Sequence, residues 1–258
     1  MTVPPSSSIL PKEAEVCYTV GRKKPKKGEG SMNTNELTRE KVAAMIDHTN
    51  LKANATREDI RRLCDEAKTY HFASVMVNSA FTAFCREQVA GSGVLVGTVA
   101  GFPLGQMSTA AKVFEAETAI ADGADEIDYV VNVSDVKDGK WDLVRSEMEK
   151  ITAACHGRGA GCKVIFENCY LTKEEIARLA AIAAEVKPDF IKTSTGFGTG
   201  GATVEDVRIM KETVGDAVKV KAAGGIRDWA SCRAMIEAGA ERIGASAGKQ
   251  ILEQFAAE

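Results

Sequence analysis

The sequence lacks the features that mark membrane-spanning, secreted and metal-binding proteins. No apolar run approaches the roughly 20 residues that a membrane helix needs, and the N-terminus has no signal-peptide pattern. The seven cysteines are an odd number without a C-x-x-C pair, and the three histidines share no ligand spacing. We therefore expect a cytoplasmic protein with reduced thiols, no metal site and no membrane as a partner.

Residues 1–31 differ in composition from the rest of the chain. They are rich in proline, serine, glycine and lysine, show no periodicity, and carry six basic against three acidic residues. Gly30 and Ser31 directly before Met32 resemble an engineered junction. We predict a disordered or artificial tail over 1–31, solvated rather than bound to nucleic acid, and one domain over 32–258.

Short apolar runs alternate with helix-period segments from residue 45 onward. Seven strand candidates, with a weaker eighth at 46–49, lie at 73–78, 94–100, 126–133, 163–169, 189–195, 218–223 and 242–245. Their near-continuous hydrophobicity is typical of parallel strands covered on both faces. The pattern favours an α/β fold, a single (β/α)8 TIM barrel, over an open doubly wound sheet, because no strand candidate is followed by a dinucleotide-binding G-x-G-x-x-G that has an acidic residue about 20 positions further on.

Two lysines end neighbouring strand candidates. Lys192 lies in an apolar run just before a glycine-rich loop, and Lys221 ends the next run 29 residues later, which is the length of one strand-helix-strand step. A free lysine has a pKa of about 10.4, so about one molecule in two thousand carries the neutral amine at neutral pH. Two ammonium groups held close in a low-dielectric pocket cannot both stay charged cheaply, and one of them should become a nucleophilic amine.

A carboxylate and three glycine-bearing loops complete the predicted site. Asp128 lies in an apolar strand candidate and should meet a cation, since an unpaired buried carboxylate costs several kcal/mol. The loops that follow the last three strands can approach a phosphate through their backbone N–H groups, and Ser246 is expected to open the last helix. An alternative is a salt bridge inside the barrel that has no chemistry.

The chain resembles the deoxyribose-phosphate aldolases, a class I aldolase family. The matching peptides follow one another from about residue 45 to residue 250: Ile46-Asp-His-Thr49, Gly101-Phe-Pro-Leu-Gly105, Glu126-Ile-Asp128-Tyr-Val-Val-Asn132, Phe190-Ile-Lys192-Thr-Ser-Thr-Gly-Phe197, Val220-Lys221 with Gly224-Gly225, and Arg242-Ile-Gly-Ala-Ser246. Their order and spacing make the resemblance specific.

The resemblance implies a reaction and a role for each residue. Lys192 would form the Schiff base, Lys221 would lower its pKa, and Asp128 would take part in proton transfer, without metal or organic cofactor. The substrate and its phosphate would be bound by Thr195, Gly196, Gly224, Gly225, Gly244, Ser246 and Asp47. The expected reaction is reversible cleavage of 2-deoxy-D-ribose 5-phosphate to acetaldehyde and D-glyceraldehyde 3-phosphate, in deoxyribonucleotide catabolism.

Other functions stay open at this point. One is a Schiff-base aldolase of the same fold that acts on another phosphorylated sugar or a short aldehyde, and another is a non-catalytic sugar-phosphate binder. A metal-dependent aldolase is disfavoured by the missing histidine cluster. The expected partners are small phosphorylated sugars and aldehydes, with a homodimer as a candidate assembly.

Overall fold

The computed structural model describes residues 37–256, which form a closed barrel of parallel strands surrounded by helices. The predicted tail over 1–31 lies outside these residues. The strands pair in sequence order and β8 pairs with β1. They are β1 (Ile46–Asn50), β2 (Ser74–Val77), β3 (Leu95–Ala100), β4 (Glu126–Val130), β5 (Gly161–Ile165), β6 (Phe190–Lys192), β7 (Lys219–Ala223) and β8 (Arg242–Ala245).

The helices pack around the barrel and bury the outer faces of its strands. They are α1 (Arg39–Ala43), α2 (Arg57–Tyr70), α3 (Thr82–Gln88), α4 (Thr109–Ala121), α5 (Val133–Lys137), α6 (Trp141–His156), α7 (Lys173–Val186), α8 (Val204–Val214), α9 (Trp229–Glu237) and α10 (Gly248–Phe255). Within residues 37–256, short 3-10 helices lie at Ser79–Phe81 and Asn168–Tyr170. No described helix is both long and apolar enough to cross a membrane.

Threonine caps start several of these helices. The side chains of Thr56 and Thr172 accept hydrogen bonds from backbone N–H groups of the first turn. The carboxylates three residues later, on Asp59 and Glu175, accept hydrogen bonds from the backbone N–H groups of the two threonines, which completes capping boxes. Thr203 caps α8 through its own side chain. These caps satisfy N–H groups that would otherwise lack partners at the helix ends.

All eight predicted strands are present, and three end at least three residues earlier than predicted. The run at 189–195 stops at Lys192, and the other two stop for identifiable reasons. The run at 126–133 stops at Val130 because Asn132 caps α5, accepting hydrogen bonds from the N–H groups of Ser134 and Asp135. The run at 163–169 stops at Ile165, and Glu167 then adopts a left-handed backbone with φ of 54°. Apolar composition alone does not reveal either ending.

The strand register brings the charged residues of the barrel side by side. Asp128 of β4 is paired with Lys163 of β5, and Lys192 of β6 is paired with Lys221 of β7. Lys221 is paired in turn with Arg242 of β8. Neighbouring strands in register point equivalent side chains to the same face, so these groups meet inside the barrel.

Candidate active site

A cluster of ionisable side chains fills the middle of the barrel. Its members contact one another through hydrogen-bonded ion pairs and come from six different strands: Asp47, Glu126, Asp128, Lys163, Lys192, Lys221 and Arg242. We call this set the barrel charge cluster. Charges are this deeply buried only when they are paired and hydrogen-bonded, because the loss of hydration costs several kcal/mol for each ion.

Asp128 lies at the centre of the barrel charge cluster. Its Oδ2 accepts hydrogen bonds from Lys192 Nζ at 2.9 Å and from Lys221 Nζ at 2.8 Å, while its Oδ1 accepts one from Lys163 Nζ at 2.8 Å. The sequence therefore predicted correctly that Asp128 meets a cation. The Asp128 carboxylate thus contacts both predicted lysines and a third lysine, Lys163, which was not predicted.

The remaining contacts close a ring. Asp47 accepts hydrogen bonds from Lys221 and, at 2.6 Å, from Arg242. Glu126 accepts from Lys163 Nζ at 2.6 Å and from Arg242 at 3.2 Å. The ring thus alternates three carboxylates with three cations, and each member touches two others.

Lys192 is the seventh member and stands outside the charge balance of the ring. Its protonated amine would give the barrel charge cluster a net charge of +1, whereas its neutral amine leaves three positive against three negative charges. An unbalanced charge in a buried site is costly, so the loss of one proton is favoured. Lys192 pairs with one carboxylate whereas each other cation of the cluster pairs with two, so Lys192 loses the fewest ion pairs by giving up that proton.

The pKa values follow from these surroundings. The pKa of Lys192 falls from 10.5 to about 8, because burial and the charges of Lys221 and Lys163 together outweigh the opposing effect of Asp128. Burial also penalises the charged form of Lys163, but its two carboxylate partners outweigh that penalty and raise its pKa. Burial opposes ionisation of Asp128 as well, yet the three lysines hold its pKa well below the usual range. Lys192 therefore deprotonates closer to neutral pH than a free lysine does.

A cavity of about 630 Å³ opens above the barrel charge cluster, at the carboxyl ends of the strands. Seven of the predicted site residues line it: Lys192, Thr195, Gly196, Gly224, Gly225, Gly244 and Ser246. Asp128 and Lys221 are fully buried behind Lys192 and do not appear in its lining. A substrate in this cavity would meet Lys192 as the amine of the cluster.

One predicted site residue lies away from the cavity, and one prediction needs correction. Asp47 is fully buried, pairs with Lys221 and Arg242 and does not line the cavity, so its role in substrate binding stays a prediction. Ser246 is exposed and lines the cavity, but it does not open the last helix, because α10 begins at Gly248 with Ala247 as its N-cap.

Gly244 leaves no room for a side chain beside Ala223 and Lys221. A Cβ atom placed there would lie 2.9 Å from the Cβ of Ala223 and 3.1 Å from the Cε of Lys221. The missing side chain leaves room for Lys221 to extend toward Asp128. The same absence exposes the backbone of β8 to the cavity, as expected for a strand that approaches a ligand closely.

The sequence analysis did not identify Lys163, Glu126 or Arg242 as site residues. Each lies within an apolar strand pattern, where Glu126 and Asp128 share one face because they are two residues apart. That spacing was the available signal for Glu126. The partners of Lys163 and Arg242 become evident only when the strand register is known.

The rim of the cavity combines cationic and apolar side chains. Lys52 and Arg227 line it and are exposed, and they place positive charge at the entrance. Leu51 also lines the cavity and belongs to a small apolar cluster with Met76 and Val99, against which Phe102 packs. The cavity lining therefore combines exposed cationic side chains with an apolar one.

Comparison with known proteins is consistent with this geometry. The model of the DeoC/LacD family aldolases matches residues 41–254. The chain belongs to this aldolase family. A deoxyribose-phosphate aldolase of Lactobacillus acidophilus is 55% identical over 218 residues, covering 84% of this chain and 92% of that relative. One from Thermococcus gammatolerans is 52% identical over 214 residues, covering 82% and 95%.

Solved structures of family members share the fold. A structure described as the unique tetrameric structure of deoxyribose phosphate aldolase from Aeropyrum pernix superposes with a TM-score of 0.80 at 32% identity, covering 86% of this chain and 94% of that one. Family membership and the closed barrel confirm the fold and the aldolase class that the sequence predicted. Among residues 37–256, no group of three or more His, Cys, Asp or Glu side chains is arranged to hold a metal ion.

Proposed function

We propose that the protein is a class I aldolase that reversibly cleaves 2-deoxy-D-ribose 5-phosphate to acetaldehyde and D-glyceraldehyde 3-phosphate, with Lys192 as the Schiff-base lysine. The observation that carries the proposal is the state of Lys192. It is the lysine of the barrel charge cluster that faces the cavity, and burial lowers its pKa to about 8. An amine with such a pKa is a competent nucleophile near neutral pH.

The reaction begins when the neutral amine of Lys192 adds to the C1 aldehyde of the open-chain sugar. Loss of water from the resulting carbinolamine gives an iminium ion, which attracts electrons from the neighbouring bonds. The C3 hydroxyl then loses its proton, the C2–C3 bond breaks, and its electron pair forms the C1–C2 double bond of an enamine. D-glyceraldehyde 3-phosphate leaves, C2 takes up a proton, and hydrolysis of the iminium ion releases acetaldehyde and restores Lys192.

Asp128 and Lys221 support these steps from beneath Lys192. Since Asp128 is fully buried and touches three lysines, a proton from the C3 hydroxyl can reach it only through a lysine amine or a water molecule. Lys221 shares the Oδ2 atom of Asp128 with Lys192, so its positive charge disfavours a second charge on Lys192. This proposal keeps the predicted proton-transfer role of Asp128 and makes it indirect.

The phosphate of the substrate is proposed to bind at the glycine-bearing loops that follow β7 and β8. Gly224, Gly225 and Ser246 line the cavity there, and Arg227 adds an exposed positive charge. Backbone N–H groups in such loops can approach a phosphate closely, and loops after the last barrel strands commonly bind phosphate.

A cytoplasmic location, a role in deoxyribonucleotide catabolism and assembly as a homodimer complete the proposal. The Aeropyrum pernix relative is described as a tetramer, which makes self-association a reasonable expectation for a family member. Light scattering of the purified protein measures the assembly. A monomer would exclude the homodimer.

A cleavage assay with paired substrates tests the proposed reaction. Deoxyribose 5-phosphate and unphosphorylated deoxyribose are each incubated with the protein, and acetaldehyde and the three-carbon aldehyde are measured separately. We expect equimolar products and a much larger kcat/KM for the phosphorylated sugar. Cleavage of a different sugar phosphate in preference would favour another Schiff-base aldolase, and binding without cleavage would favour a non-catalytic binder.

A further inference from the structure

Glu167 combines an unfavourable backbone with a buried carboxylate. It is one of three described residues other than glycine with a positive φ, at 54°, and the other two, His71 and Lys187, are C-caps of helices, where this conformation is common. Glu167 has no such role, since it lies between β5 and a 3-10 helix. Left-handed backbone at such a position persists only where the surroundings enforce it, and it is frequent at functional sites.

The carboxylate of Glu167 is directed at a turn that lines the substrate cavity. Its Oε1 accepts a hydrogen bond from the backbone N–H of Thr195 at 3.1 Å, and its Oε2 accepts one from the hydroxyl of Thr195. The same hydroxyl oxygen accepts the backbone N–H of Phe197 at 3.0 Å. A chain of hydrogen bonds therefore runs from Glu167 through Thr195 to Phe197.

Packing around this carboxylate is close. The side chain is only 3% exposed, and a Cβ atom placed on Gly198 would lie 3.1 Å from its Cδ. Thr195 and Phe197 both line the cavity, together with Gly196 between them. Glu167 thus fixes one wall of the substrate site from behind.

Lys192 is held by a separate set of contacts. The N–H of Thr193 donates to the carbonyl of Lys221 at 3.1 Å, and the Thr193 hydroxyl donates to the carbonyl of Ala223 at 3.0 Å. The N–H of Ala223 donates back to that hydroxyl at 3.1 Å. These bonds tie the end of β6 to β7 without involving the Glu167 carboxylate.

We propose that Glu167 is a positioning residue for the Thr195–Gly196–Phe197 turn. Its carboxylate holds the turn in the shape that binds the sugar phosphate, while the amine chemistry of Lys192 is independent of it. Losing the carboxylate should raise KM and leave the formation of the iminium ion intact. The effect on KM rests on the proposed function, whereas the effects on the turn and on the amine do not.

Three measurements on Glu167→Gln test this inference. Backbone amide hydrogen exchange of the peptide spanning 193–199 is measured without substrate, and we expect the Thr195 and Phe197 amides to exchange about tenfold faster. The rate at which cyanoborohydride traps acetaldehyde on Lys192 should stay within about threefold of wild type, as expected for an unaltered amine. KM for deoxyribose 5-phosphate should rise about tenfold with kcat within about threefold, the effect of one weakened charge-assisted hydrogen bond.

Two further variants separate positioning from loss of stability. Glu147→Gln is the matched control, because Glu147 is 5% exposed and accepts a backbone N–H from Asn132 at 3.0 Å on another loop. We expect its KM to stay within about twofold of wild type even though the fold loses stability. Thr195→Val removes the hydroxyl that links Glu167 to Phe197, and the double variant with Glu167→Gln should be no worse than the worse single variant, as for residues in one network.

The outcomes are decisive in both directions. The inference is supported if hydrogen exchange and KM rise together while trapping on Lys192 is retained. It is overturned if hydrogen exchange of the turn is unchanged, or if the rate of trapping on Lys192 falls as KM rises. It is also overturned if the effects of Glu167→Gln and Thr195→Val on KM are additive in the double variant. If Glu167→Gln does not fold, Thr195→Val decides the question with the same measurements. If the wild-type protein does not cleave the sugar, exchange and trapping still test the role of Glu167.

Discussion

Replacing Lys192 with methionine should stabilise the protein while removing its proposed nucleophile. Burial lowers the pKa of Lys192 from 10.5 to about 8, so at pH 7 the folded protein carries the lysine charged against an unfavourable environment. The difference between the two pKa values corresponds to about 3 kcal/mol. Methionine has a similar length and no charge, and the three carboxylates and three cations of the ring remain balanced without Lys192.

The gain should depend on pH. Because the folded pKa lies below the unfolded value, the penalty is fully present below about pH 8 and fades as the unfolded lysine also deprotonates toward pH 10.5. We therefore expect Lys192→Met to raise the free energy of unfolding by about 3 kcal/mol at pH 7 and by about 1.5 kcal/mol at pH 9.5. Urea denaturation followed by circular dichroism at both pH values measures this.

Lys163→Met is the matched control, and we expect it to lower the free energy of unfolding rather than raise it. Lys163 is equally buried, but it touches both Asp128 and Glu126, and its removal leaves two carboxylates short of a cation. Breaking such buried pairs costs about 3 to 5 kcal/mol. The reasoning is refuted if Lys192→Met is less stable than wild type at pH 7, or if its gain in the free energy of unfolding is the same at both pH values. It is also refuted if Lys192→Met and Lys163→Met change the free energy of unfolding in the same direction.

Three further predictions concern activity. Lys221→Leu and Asp128→Asn should each lower kcat about a hundredfold or more in the cleavage assay, because activating the amine and moving the proton are each worth about that much; retained turnover would exclude their proposed roles. Ser246→Glu should raise KM for deoxyribose 5-phosphate far more than for deoxyribose, since a carboxylate at the cavity wall repels the phosphate, and an equal effect on both would place the phosphate elsewhere. The rate of trapping on Lys192 should rise about tenfold per pH unit below its pKa of about 8 and level off above it, and a flat profile from pH 6 to 9 would contradict the assigned pKa.

Most of the fold was predictable because its signals are local. Buried parallel strands carry apolar runs, and threonine caps mark helix starts, so each predicted strand corresponds to an observed one. The ends of the strands at 126–133 and 163–169 were not predictable from apolar composition. They depend on the side chain of Asn132 and the backbone of Glu167, which act through specific contacts.

The central residues of the site were predictable for a different reason. A lysine or aspartate inside an apolar strand is exceptional, and Lys192, Lys221 and Asp128 meet as the sequence predicts. Their further partners were not predictable, because which side chain reaches which depends on register around a closed barrel. Asp47 illustrates this, since its motif suggested a substrate contact and did not reveal the contact with Lys221.

The most direct test of the account is to identify the amine that forms the Schiff base. The protein is incubated with acetaldehyde or deoxyribose 5-phosphate, reduced with borohydride, digested, and mapped by mass spectrometry. The account predicts a single adduct on Lys192, since this lysine alone of the barrel charge cluster lines the described cavity, and burial lowers its pKa to about 8. An adduct on Lys221 would reverse the roles of the two lysines, and no adduct on either would contradict Schiff-base catalysis.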